Sequence, residues 1–78
     1  MPPKLGSLKP RQVVRALQKA GFYIHEQVGS HIQLKHRSKP GRITVPCHER
    51  FDLPKHVVKS IIRQAGLSNQ QFLDLLQE

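Results

Sequence analysis

The sequence predicts an α+β domain: a three-stranded antiparallel sheet with two helices on one face and a short helix at the C-terminal end. Two segments repeat apolar residues at helical spacing, and three runs between them alternate apolar with polar residues. The links between the runs, Gly29-Ser30 and Ser38-Lys39-Pro40-Gly41, are short enough to favour an antiparallel meander. A chain of 78 residues has room for one thin core, so residues 1–78 are expected to form a single domain.

Residues 1–6, with Pro2, Pro3 and Gly6, are expected to form a loose arm. A first helix is expected from Ser7, whose hydroxyl can accept from the N–H groups of a first turn. Pro10 would fall within that turn, where a missing N–H costs little. Val13, Val14, Leu17 and Ala20 make its buried stripe, and Gly21 ends it. The first strand runs over Phe22–Val28, with Phe22, Ile24 and Val28 expected inward. The second runs over His31–Arg37, with Ile32 and Leu34 inward, and the third over Arg42–Pro46, with Ile43 and Val45 inward. A second helix begins near Pro54 and buries Val57, Val58, Ile61, Ile62 and Ala65 before Gly66. Lys55, Lys59 and Arg63 form a basic ridge along it. Ser68-Asn69-Gln70-Gln71 has the form of a capping box, so residues 68–78 are expected to be a helical extension. Leu67 would staple onto Phe72, and Phe72, Leu73 and Leu76 make the apolar face.

Charge narrows the function. Thirteen Lys and Arg face five acids, a net charge of +8. Residues 1–63 hold all 13 basic residues and three acids (Glu26, Glu49 and Asp52), a net of +10, whereas residues 64–78 hold Asp74 and Glu78, a net of −2. A basic body of this kind attracts polyanions, nucleic acid first among them. No apolar run approaches the roughly 20 residues of a membrane helix. No stretch of signal-peptide type is visible either, so a cytoplasmic protein is expected. The basic residues do not line one amphipathic helix, which argues against a membrane surface. Cys47 is the one cysteine, and without CxxC spacing neither it nor its neighbours His48 and His56 suggest a metal site.

Strict alternation would place Tyr23, His25, Gln27, His31, Gln33, Lys35, Arg37, Arg42 and Thr44 on the sheet face away from the helices. An antiparallel sheet commonly leaves one face wet. Here that face would also be free of acids, since Glu26, the one carboxylate in the strand segments, falls on the other parity. A polyanion-binding surface carrying titratable imidazoles accounts for both features.

Several segments together resemble a known family. They are Ala20-Gly21-Phe22, Gly29-Ser30-His31 opening a strand, Arg42-Ile43-Thr44-Val45-Pro46, Leu53-Pro54, and Ser60-Ile61-Ile62-Arg63-Gln64-Ala65-Gly66-Leu67-Ser68. In this order and spacing, over roughly residues 5–68, they are similar to the HicA (YcfA-like) mRNA interferase toxins of HicA–HicB toxin–antitoxin modules. The resemblance implies a fold like that of a double-stranded-RNA-binding domain. It also implies an endoribonuclease that cleaves mRNA without metal or cofactor and is neutralised by a HicB-type antitoxin. It makes His31, after Gly-Ser, the catalytic histidine. Pro10, the Cys47-His48 pair after Val45-Pro46, and the tail from Asn69 depart from the family's usual pattern.

The chemistry fits one or two imidazoles. RNA carries its own nucleophile, the 2′-hydroxyl, and an imidazole exchanges protons near neutral pH. Flexible Gly29 and Ser30 would let His31 approach the substrate backbone. Lys35, Arg37 and Arg42 are candidate phosphate partners, and Lys59, on the helical ridge, extends the track. His25 is the leading candidate for a second acid or base, ahead of His36 and His48. Two binding functions compete with catalysis. One is a non-catalytic double-stranded-RNA module using the same surface. The other is a DNA binder using the ridge of Lys55, Lys59 and Arg63.

Overall fold

A computed structural model describes residues 5–48 and 50–77. The expected arm falls outside this range up to residue 4. After it, Leu5–Ser7 form a short 3-10 turn, and Leu5 packs against the core. The remaining elements are α1 (Pro10–Lys19), β1 (Phe22–Val28), β2 (His31–His36), β3 (Ile43–Pro46), α2 (Lys55–Ala65) and α3 (Asn69–Gln77). The sheet is antiparallel in the order β1-β2-β3. The α+β class and the α-β-β-β-α order are those expected, and so is the short C-terminal helix, α3.

The first helix starts at Pro10, not at Ser7. A residue before proline is pushed out of the helical region by the pyrrolidine ring, and Lys9 is accordingly extended at φ −76°, ψ 148°. Its N–H donates to Gln12 Oε1 at 2.8 Å. The extended segment lets Leu8 accept a hydrogen bond from the Leu53 N–H at 2.8 Å, and both leucines are buried. Neither belongs to a periodic stripe. On α1, Val13, Val14, Ala16 and Leu17 are buried and Ala20 is half-buried.

Leu34, Ile43 and Val45 fill the helix-facing side of the sheet, as expected. The register of β1 overturns part of the expected alternation. Ile24 pairs with Leu34, but the next pair is Glu26 with Gln33, so His25 is an extra residue in a β-bulge. Beyond the bulge every side chain changes face. Gln27 pairs with Ile32 on the helix side, whereas Glu26 and Val28 join the outer face, and Val28 is 55% exposed. Ile24 keeps its inward register but is left uncovered, at 46% exposed. It lines an open cleft of about 960 Å³ with Val14, Arg15, Gln27 and Ile32. Strand β2 ends at His36 and β3 starts at Ile43, so Arg37 and Arg42 lie in the flanking connection.

Helix α2 follows Pro54 and buries Val58, Ile61, Ile62 and Ala65. It ends at Gly66, left-handed at φ 72°. The Lys39 ammonium donates to the Ala65 carbonyl at 2.7 Å and lies 5.7 Å from the Phe22 ring centroid. That cation sits at the negative end of the helix dipole. The capping box of α3 is formed: the Gln71 N–H donates to Ser68 Oγ at 3.0 Å and the Ser68 N–H to Gln71 Oε1 at 2.8 Å. Phe72 is fully buried, which makes α3 part of the core.

Two substitutions test this packing in urea unfolding. Phe72→Ala should cost about 3–5 kcal/mol; a loss under about 1 kcal/mol would show α3 to be an appendage. Gly21 sits at φ +98°, and a Cβ there would come 2.8 Å from His36 Nε2. Gly21→Ala should therefore destabilise by about 1–3 kcal/mol, and an unchanged midpoint would contradict that geometry.

Candidate functional site at the opening of strand β2

Gly29 and Ser30 make the turn between β1 and β2, with Gly29 left-handed at φ +60°. His31 opens β2 directly after it. The register sets His31 between Val28 on β1 and Pro46 on β3, and its side chain is exposed. The next backbone step past that pairing is the Cys47 N–H, which donates to the Ser30 carbonyl at 2.6 Å. This bond continues the β2–β3 ladder by one link. It ties the turn before His31 to the segment that follows β3.

The segment carries His48. Its carbonyl accepts from the Phe51 N–H at 3.0 Å, closing a turn. The imidazoles of His31 and His48 stand edge to face, with ring centroids 6.5 Å apart and planes at 80°. Both are exposed, and neither side chain is hydrogen-bonded among the described residues. Phe51, at 69% exposed, lies in the same loop. Nothing in the spacing of residues 31 and 48 announces this proximity, which depends on strand pairing.

The other expected residues are dispersed. Lys35 pairs with Tyr23 two positions along β2 from Gln33, on the outer face with His31. Arg42 precedes β3, and its Nη1 donates to Gln33 Oε1 at 2.6 Å, bringing it onto that face. Arg37 is exposed just past β2. His25 occupies the bulge, opposite Gln33 and away from the Val28–His31 pair. His36 turns to the helix side: its ring meets Phe22 edge-on at 4.9 Å, and its Nδ1 accepts from the Ser38 N–H at 3.0 Å. Lys59 lies on α2 and lines a shallow depression with Arg63, Leu67, Ser68 and Asn69, none of them a sheet residue.

The outer face is therefore basic but not free of acids, because the bulge brings Glu26 onto it. Lys9 makes an exposed ion pair with Asp52 at 2.9 Å, an arrangement that contributes little to stability. Among the described residues, no group of three or more His, Cys, Asp or Glu side chains is arranged to hold a metal ion, the trio of Cys47, His48 and His56 included. Among those residues, too, no helix is long and apolar enough to cross a membrane.

Fold and site together define a small basic α+β protein with an exposed histidine pair where two strands meet their turns. The chain belongs to the HicA family: the model of the HicA toxin of bacterial toxin-antitoxin matches residues 10–67. It is thus a toxin of a toxin–antitoxin family, whose partner is of the antitoxin kind. No curated protein matches the chain. The matched residues stop before α3, although Phe72 completes the core.

The Ser30–Cys47 link can be tested through its donor. Cys47→Pro removes the N–H and should destabilise by about 1 kcal/mol and broaden the His31 ring resonances in NMR spectra. Cys47→Ala keeps the N–H and should leave those resonances sharp. Identical spectra for the two variants would contradict a structural role for the bond.

Proposed function

We propose that this toxin is an endoribonuclease that cleaves mRNA through His31, acts in the cytoplasm and is held inactive by a HicB-type antitoxin. The observation that carries the proposal is His31 itself. It is an exposed imidazole with no hydrogen-bond partner among the described residues, at the end of the sheet face that also holds Lys35 and Arg42. An imidazole there can take a proton from, or give one to, a ribose or phosphate oxygen lying along the face. Lys35, Arg37 and Arg42 would hold phosphates and offset charge that develops on them. Gly29 and Ser30, with no bulky side chain, leave the approach to His31 open. Lys59 stands on the helical layer and would serve only a strand that wraps around the molecule. The mechanism draws on the substrate's own 2′-hydroxyl as nucleophile, so its chemical steps use protein side chains alone.

Purified protein incubated with labelled mRNA in chelator should cut it. His31→Ala should reduce the rate about 100-fold or more and abolish growth arrest while melting like the parent. Full cleavage by that variant would refute the assignment, and RNA binding with no cleavage by the parent would mark a non-catalytic RNA-binding module. RNA affinity should fall steeply with added salt, as phosphate contacts release counterions. A co-expressed HicB-type protein should restore growth; continued arrest would contradict its role as the inhibitor.

A further inference from the structure

We infer that His48 is the second proton-transfer group of the site, acting across the scissile phosphate from His31. The inference rests on the ribonuclease function proposed above and assigns its missing partner. His31 opens β2 and His48 follows β3, yet their ring centroids stand 6.5 Å apart with the planes at 80°. At that distance the rings do not hydrogen-bond each other, and both are open to solvent. The spacing is held by backbone on both sides: the Cys47 N–H to Ser30 carbonyl bond fixes one ring's segment to the other's, and the His48 carbonyl is engaged by the Phe51 N–H.

The reaction calls for such a separation. One group takes the 2′-hydroxyl proton as that oxygen bonds to phosphorus. The bond from phosphorus to the 5′-oxygen breaks, its electron pair stays on the oxygen, and a second group supplies the proton that neutralises it. The products are a 2′,3′-cyclic phosphate end and a 5′-hydroxyl end. The two imidazoles have then exchanged protonation states, which solvent resets. In an in-line displacement the entering and leaving oxygens lie on opposite sides of phosphorus. A base and an acid, each at a hydrogen-bond length of about 2.6–3.2 Å from its oxygen, must then stand more than two such lengths apart. A pair at a centroid separation of 6.5 Å can present its outward ring nitrogens to the two oxygens of one phosphate lying across both rings. His25 has no such relation to His31, because the bulge sets it opposite Gln33.

The test uses the full chain and two matched RNA oligomers, one of which carries sulfur in place of the bridging 5′-oxygen at the cleavage site. On the all-oxygen substrate His48→Ala should lose about 100-fold or more in rate, as His31→Ala does, while the exposed His56→Ala cleaves like the parent. A sulfur leaving group departs without a proton. It should therefore restore one of the two deficient variants, the one lacking the acid, and leave the one lacking the base inactive. Matching melting curves show that each variant is folded. Parental rates for His48→Ala beside an inactive His31→Ala would overturn the inference and leave the ribonuclease function standing. So would a loss in His25→Ala in its place, or sulfur rescue of both variants or of neither. An active His31→Ala would instead remove the ribonuclease function on which the inference rests.

Discussion

The hydrogen bond from the Cys47 N–H to the Ser30 carbonyl is the contact on which the candidate site depends. It measures 2.6 Å and lies one step beyond the last paired residues, His31 and Pro46. Without it the sheet would still form, because Leu34, Ile43 and Val45 would still bury against the helices. The turn that opens β2 and the loop that leaves β3 would then be separate, mobile ends. With it, two residues 17 positions apart in the chain hold their rings face to edge. The site is thus a product of strand register, supported by the core but not contained in it.

The parts of the fold legible in the sequence are those in which burial forces a period. The stripes of α1 and α2 are readable because each helix has one face to cover, and Gly66 and the capping box of Ser68 mark their ends by local backbone chemistry alone. The helix start at Pro10 was also present in the sequence, in the steric restriction proline places on Lys9. Ser7 offers a competing cap signal that the structure leaves unused. The faces of β1 were not legible past Ile24. Alternation assumes that no residue is inserted, and nothing in His25-Glu26 distinguishes a bulge from continuous pairing. That single extra residue reassigns Glu26, Gln27 and Val28. The candidate His31 is legible in the Gly-Ser-His motif, whereas nothing local marks His48, because its relation to His31 exists only once β2 and β3 have paired.

The bulge also changes the electrostatic picture. An outer face without acids would attract phosphate along its whole length. The actual face carries Glu26 opposite Gln33, near the middle of the sheet, with Lys35 to one side and the His31 end to the other. Arg42 is tethered to Gln33 at 2.6 Å, so its guanidinium is held over this middle region. Lys39, by contrast, is engaged at the C-terminus of α2 and contributes to the fold. Charge on this protein is therefore divided between structure and surface, and net charge alone does not say which cations remain for a ligand.

In the proposed mechanism the substrate's own 2′-hydroxyl attacks, with imidazole moving the protons. It is tested most directly by replacing that one hydroxyl with hydrogen, at the cleaved nucleotide only, in an otherwise ribose oligomer assayed in chelator. Cutting at that linkage should stop while binding of the oligomer is retained. Cutting at the same linkage at an undiminished rate would contradict it.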